Sequence, residues 1–208
     1  MDLSKIGTPY VKLGNCNCNG STIIITSGVH GSELSPQAAT IKLINKLYNK
    51  IIHGTIYIFP FVAPSITSKN IRLYKKRNLN KIANIKDSLT NNIINFAIEK
   101  NVNGLGDFHS TKPNDNPGQT IVMGSHKPLI ESATITNYIS KEVKCAKIIY
   151  DQAATEYPGA VEDACNVNNI PSVTCEVLCP HGIIKEEAID TSYKQMLSFI
   201  KYFNIQIK

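Results

Sequence analysis

The sequence predicts an α/β protein with a central, mostly parallel sheet and helices on both faces. Runs rich in β-branched residues alternate with amphipathic helical patterns along the chain. Such alternation argues for one sheet sandwiched between helices. The length, 208 residues, suits one domain with a sizeable core.

The first strand is Ser21–Ser27, the run STIIITS. A helix follows over Leu34–Asn49, where Ala38, Ile41, Ile44 and Leu47 recur at helical spacing and Lys42, Asn45 and Lys46 lie opposite. Next come a strand over Thr55–Phe61, a helix over Lys86–Lys100, and strands over Gly104–His109 and Gln119–Gly124. A helix over Pro128–Lys141 and strands over Lys147–Tyr150 and Ser172–Val177 continue the alternation. The last helix, Lys185–Phe203, carries Met196, Phe199, Ile200 and Phe203 on one stripe. No repeat, linker or low-complexity segment interrupts the pattern, so residues 1–208 read as a single domain. In sheets of this kind, ligands sit outside the carboxyl ends of the strands.

Composition narrows the classes. Hydrophobic residues make up 42% and charged residues 18%, the balance of an ordinary soluble globular chain. The net charge of +6 is modest, and its one dense run is KNIRLYKKRNLNK, Lys69–Lys81. That run fits a solvated loop or a site for an anion, either a carboxylate or nucleic acid. Only Tyr74 within it could stack on a base, which ranks nucleic acid last and leaves no nucleic-acid partner expected. Cys16, Cys18, Cys145, Cys165, Cys175 and Cys179 form no CxxC pair and no zinc-finger spacing, so free, mostly buried thiols in a reducing compartment are expected. The opening MDLSKIGTPYVKLG lacks the apolar run of a signal peptide, and no window approaches the roughly 20 apolar residues of a membrane span. A cytoplasmic protein with no membrane association is expected.

His30 and Glu33 lie just past the first strand, on a turn that opens a helix. Residues three apart there can point to one side. An imidazole and a carboxylate make two-thirds of a His₂Glu catalytic zinc set. Gly28 and Gly31 bracket the histidine, which suits a tight bend. The same pair also fits a surface histidine with a glutamate in the first helical turn. His109 ends another strand pattern, where a third ligand belongs, with Asp107 two residues earlier on the same face. A carboxylate there can fix the tautomer of a ligating histidine. Glu176 sits near the end of the strand PSVTCEVL, where it must be paired or face a polar cavity. An unligated carboxylate beside a zinc-bound water is what proton transfer requires. His53, His126 and His181 read as structural.

The segments GVHGSE, RNLNK, GDFHSTK and TCEVLCPHG occur in the order of the motifs of one family. The chain resembles the succinylglutamate desuccinylase/aspartoacylase branch of the zinc carboxypeptidase superfamily, over about Ser21 to Asn204. The resemblance implies a mixed sheet between helices and one zinc per chain, held by His30, Glu33 and His109. It also implies Glu176 as general acid/base and hydrolysis of an amide bond. Where the family has Asp-Leu-Asn-Arg, this chain has Asn78-Leu79-Asn80-Lys81. Asn80 and Lys81 would then hold a substrate carboxylate, Lys81 keeping the charge without the bidentate fork. Arg72 is the nearest match to the arginine that polarises the scissile carbonyl, with Arg77 and Lys75 as alternatives. Family members with acylase activity carry an extra C-terminal β-rich region beyond the part this chain resembles. The substrate expected is an N-acyl amino acid or a small peptide bearing a carboxylate. A metal-binding protein-interaction domain without catalysis is the rival from another class.

Overall fold

The computed structural model of the chain describes residues 7–15 and 20–208. The strands are β1 Val11–Asn15, β2 Thr22–Ser27, β3 Ile52–Phe59, β4 Gly104–Thr111, β5 Ile121–Lys127, β6 Ala146–Gln152, β7 Ser172–Leu178 and β8 Gln206–Ile207. The helices are α1 Leu34–Leu47, α2 Pro64–Thr67, α3 Leu89–Glu99, α4 Ile130–Val143, α5 Val161–Val167 and α6 Glu186–Tyr202, with a 3-10 turn at Leu79–Lys81.

The strands form one mixed sheet in the order β1-β3-β2-β4-β7-β5-β6, with β8 added beside β3. Strands β2, β3, β4 and β7 run parallel. Strand β5 reverses direction beside β7, while β5 and β6 are parallel to each other. In the middle of β2, Ile23, Ile24 and Ile25 are all fully buried, so this strand is covered on both faces. Each such side chain contributes roughly 1.5–3 kcal/mol relative to exposure.

Two cores flank the sheet. One joins Ile23, Ile25, Phe108, Val173 and Cys175 to α1, α4 and α6. The other joins Ile24 and Leu105 to α2, α3 and α5. Side chains alternate along a strand. Asp107 and His109 therefore share the face of Leu105, and Thr174 and Glu176 share the face opposite Val173 and Cys175. Chemistry-bearing side chains thus collect on the α3/α5 side, at the carboxyl ends of β4 and β7. From β2 the chain crosses to β3 through α1 on one face, then to β4 through α3 on the other. The connections that leave β2 and β3 thus lie on opposite faces of the sheet, the kind of switch at which ligands bind.

The predicted elements appear with shifted ends. Five further elements lie outside the predicted set: β1, β8, α2, α5 and the 3-10 turn at Leu79–Lys81. The stripe expected on α1 is displaced. Ala38, Ile41 and Ile44 are only partly buried, and Ala39, Thr40, Leu43 and Leu47 face the core. Thr40 can do so because its hydroxyl proton lies between two acceptors, Pro36 O at 2.8 Å and Ser27 Oγ at 2.9 Å. The α6 stripe of Met196, Phe199, Ile200 and Phe203 is buried as expected. Cys145, Cys165, Cys175 and Cys179 are free thiols, while Cys16 and Cys18 lie outside the described residues. Among the described residues, no helix is long and apolar enough to cross a membrane.

Candidate metal centre and active site

The loop after β2 is fixed before any ligand binds it. Gly28 turns the chain at φ 73°, a conformation that favours glycine. A side chain at Gly31 would place Cβ 2.3 Å from the backbone carbon of Ile66, so α2 can press directly on this turn only because the residue is glycine. Gln37 on α1 donates to the carbonyls of Glu33, Gly31 and His30 at 2.9, 3.2 and 3.3 Å, and accepts from Thr67 Oγ1 at 2.9 Å. Glu33 occupies the N-cap position of α1 but makes no capping hydrogen bond, because its carboxylate is turned toward two imidazoles.

His30, Glu33 and His109 are only 2%, 3% and 2% exposed, which removes the surface reading of the His30–Glu33 pair. His30 Nδ1 lies 2.8 Å from Glu33 Oε1, and His109 Nδ1 lies 2.8 Å from Glu33 Oε2. The far nitrogens are also engaged. His30 Nε2 is 2.8 Å from Asn78 Oδ1, and His109 Nε2 is 2.7 Å from Asp107 Oδ2. Asn78 Oδ1 also accepts the Asn80 backbone N–H at 2.9 Å, so it is the carbonyl oxygen that faces His30. Asp107 Oδ1 accepts from Thr26 Oγ1 at 2.6 Å. Each ring thus donates from Nε2 to a fixed acceptor and aims Nδ1 at Glu33.

This donor set fits a cation. Both Nδ1 atoms face a carboxylate, and one positive centre per facing pair is required. Burial alone would lower the His109 pKa, but Asp107 and Glu33 on either side hold it well above the usual imidazole range. Burial would likewise raise Glu33, but the charges on and hydrogen bonds from His30 and His109 hold it well below the usual carboxylate range. One ligand atom from each of the three residues lies within 4.8 Å of the others, the span of a metal-binding group. A divalent ion at this point would replace the Nδ1 protons and leave the Nε2 hydrogen bonds unchanged.

Around this group, Arg72 Nη1 donates to Glu33 Oε1 at 2.5 Å. His181, read from the sequence as structural, lies with Nε2 3.0 Å from Ser110 O and 3.7 Å from Glu33 Oε1. Glu176 stands opposite His109 in the β4–β7 register. Its Oε2 is buried with no hydrogen-bond partner among the described residues. Burial first, then repulsion by Glu33, pushes its carboxyl up to about 8, against the opposing pull of His109 and Arg72. A cavity of about 140 Å³ opens here. Its wall includes His30, Arg72, Asn78, Asn80, Lys81 and Glu176. Of the three basic residues weighed for the carbonyl, Arg72 faces this cavity, whereas Lys75 and Arg77 line a separate depression with Tyr74 and Lys86. Asn80 spends Oδ1 on the Val161 backbone N–H at 2.9 Å, at the start of α5.

Residues 19–177 match the model of the succinylglutamate desuccinylase/aspartoacylase catalytic domain, and the chain belongs to that family. Solved structures share its fold. A succinylglutamate desuccinylase from Silicibacter sp. TM1040 superposes with a TM-score of 0.75 at 15% identity, over 95% of this chain and 61% of that one. The product-bound cell shape determinant protein Csd4 from Helicobacter pylori gives 0.78 at 12% identity, over 96% and 56%. A succinylglutamate desuccinylase/aspartoacylase from Rhodobacter sphaeroides gives 0.69 at 16%, over 95% and 59%. The chain therefore spans about three-fifths of the length of these relatives. No curated protein matches it significantly by sequence alone.

Proposed function

We propose that the chain is a zinc-dependent hydrolase that cleaves an amide bond in an N-acyl amino acid or a small peptide bearing a carboxylate. One observation carries the reading. The two buried histidines hold their Nδ1 atoms against one carboxylate, and a second carboxylate with an unpaired oxygen stands on the neighbouring strand. His30, Glu33 and His109 are the residues that would hold the ion, one per chain, and Asp107 and Asn78 would orient the two rings. Zinc bound there supplies Lewis acidity, which polarises an amide carbonyl and eases loss of a proton from water.

The remaining work falls to the chain's own side chains. A carboxyl titrating near neutrality can take a proton from the attacking water and return it to the leaving amine, and Glu176 has that property. Arg72 is charged, half-exposed and turned to the cavity, so it can donate to the oxygen that gains negative charge. Lys81 and Asn80 would hold the substrate carboxylate. With Asn80 Oδ1 already used, its amide NH₂ is the part left to donate.

The test is release of amine from a panel of N-acyl amino acids and short peptides, before and after chelation. Activity should vanish with the metal and return with zinc in proportion to its uptake. Hydrolysis that survives complete removal of metal would contradict the reading.

A further inference from the structure

The wall of the cavity beside the candidate metal centre carries charged groups of both signs. Arg72 and Lys81 supply its cationic groups. The same wall also includes Glu162, Thr174, Met123, Tyr150 and Tyr157. We propose that Glu162 and these neighbours form a subsite for an amino group, with Glu162 as the acceptor, so that the substrate carries an ammonium as well as a carboxylate. The inference rests on the hydrolase reading above and narrows its substrate class.

Glu162 is held in place by its backbone. It is the second residue of α5, whose first N–H is taken by Asn80 Oδ1, and its carbonyl accepts from Ser172 Oγ at 2.7 Å. Its side chain is 4% exposed yet lines the cavity. Oε1 accepts from Asn166 Nδ2 at 3.0 Å. Among the described residues, no ion pair joins Glu162 to a lysine or arginine. The charged neighbours are acidic instead. Burial first, then Asp163 and Asp107, pushes the Glu162 carboxyl well above the usual range. A buried acid among acids leaves a position where an incoming positive charge is stabilised and an incoming negative charge is repelled.

The walls suit the same guest. The Tyr150 and Tyr157 rings meet edge to face with centroids 5.9 Å apart, and both border the cavity. Aromatic faces favour alkylammonium groups over carboxylates. Met123 supplies an apolar surface for the methylenes between the amide and the amino group.

The test uses two matched series on the zinc-loaded protein, one for each side of the scissile bond. The acyl series is β-alanylglycine, butanoylglycine and succinylglycine. The amine series is N-acetyl-L-ornithine, N-acetyl-L-norleucine and N-acetyl-L-glutamate. Within each series an ammonium, a methyl or a carboxylate ends a chain of similar length. In at least one series the ammonium member should exceed the methyl member in kcat/KM by about tenfold or more, with the carboxylate member poorest. Glu162→Gln keeps the shape and should bring the ammonium-to-methyl ratio to within about threefold of one. Should that variant fail to fold, the wild-type ratios decide alone.

Calorimetric binding of the same compounds to zinc-loaded Glu176→Gln separates the two claims. An ammonium preference in binding, lost on adding Glu162→Gln, with no cleavage of any member by the wild type, would support the subsite and overturn the hydrolase reading. Cleavage without an ammonium preference in either series would overturn the subsite alone. No preference in either turnover or binding would overturn it as well.

Discussion

His109 Nδ1 lies 2.8 Å from Glu33 Oε2, while Nε2 of the same ring lies 2.7 Å from Asp107 Oδ2. An imidazole held between two carboxylates is fully protonated when nothing else supplies charge, which is why its pKa stands well above the usual range. Exchange of the Nδ1 proton for a metal keeps the Asp107 hydrogen bond and relieves Glu33 of its need for a protonated partner.

One zinc per chain is therefore expected on reconstitution, and His30→Ala or His109→Ala should abolish it while the far-ultraviolet dichroism of the sheet persists. Free zinc at 100 times its Kd should raise stability by about 2.7 kcal/mol, read as a higher Tm than in chelator. Failure of the wild type to take up stoichiometric zinc would remove the metal assignment.

Asp107 orients His109 without touching the proposed ion. Asp107→Asn should weaken zinc affinity by about 10–100-fold, measured by competition with a chromophoric chelator. An unchanged affinity would mean that the buried Asp107–His109 bond serves packing alone.

Lys81 stands at the cavity wall where the family motif has arginine. Amidation of the substrate carboxylate should lower kcat/KM more than about tenfold, or ~1.4 kcal/mol. Lys81→Arg should preserve the preference for the free carboxylate, and Lys81→Ala should erase most of it. If both substitutions leave the kinetics of acid and amide substrates unchanged, Lys81 does no more than solvate its loop.

Metal-free protein should show a stability profile set by the same groups. Glu176 titrates near 8 in the folded chain against 4.5 as its ordinary value. Its neutral form is therefore the one the fold favours. That contribution is complete below about pH 4.5 and is lost as pH rises through 8. Glu162 and His109 are also raised and act in the same direction. Glu33 is lowered and acts oppositely, its contribution being lost as pH falls through its folded pKa. In chelator, Glu176→Gln should gain Tm relative to wild type as pH rises across this window, then hold a constant difference above it. A difference independent of pH would show that Glu176 is ionised throughout.

The grouping of the candidate residues was readable where residue type and seam coincided. His30, Glu33, His109 and Glu176 each follow or end a strong β-branched run, and the sheet brings those ends together. Choice among Arg72, Lys75 and Arg77 was not readable, because the path of Lys69–Lys81 depends on α2, on the Tyr74–Arg77 bridge and on the turn at Leu79. Glu162 was invisible because VEDACNV is too short for a periodic signal, and the placement of its helix depends on hydrogen bonds to Asn80, far away in sequence, and to Ser172 on β7. The α1 stripe was misplaced because polar Thr40, Ser35 and Gln37 are buried with satisfied hydrogen bonds while Ile41 and Ile44 lie on the flank. Strands β1 and β8 lie at the margin of the sheet and are short, so neither carries a pattern that stands out.

The most direct measurement compares amide hydrolysis by wild type and Glu176→Gln at equal, verified zinc content. Glutamine keeps the size of the side chain and removes its capacity to accept a proton. The expected result is intact zinc binding with kcat lower by a factor on the order of 10² or more. Equal turnover by the two zinc-loaded proteins would contradict the assignment of proton transfer to Glu176, and with it the central account of this site.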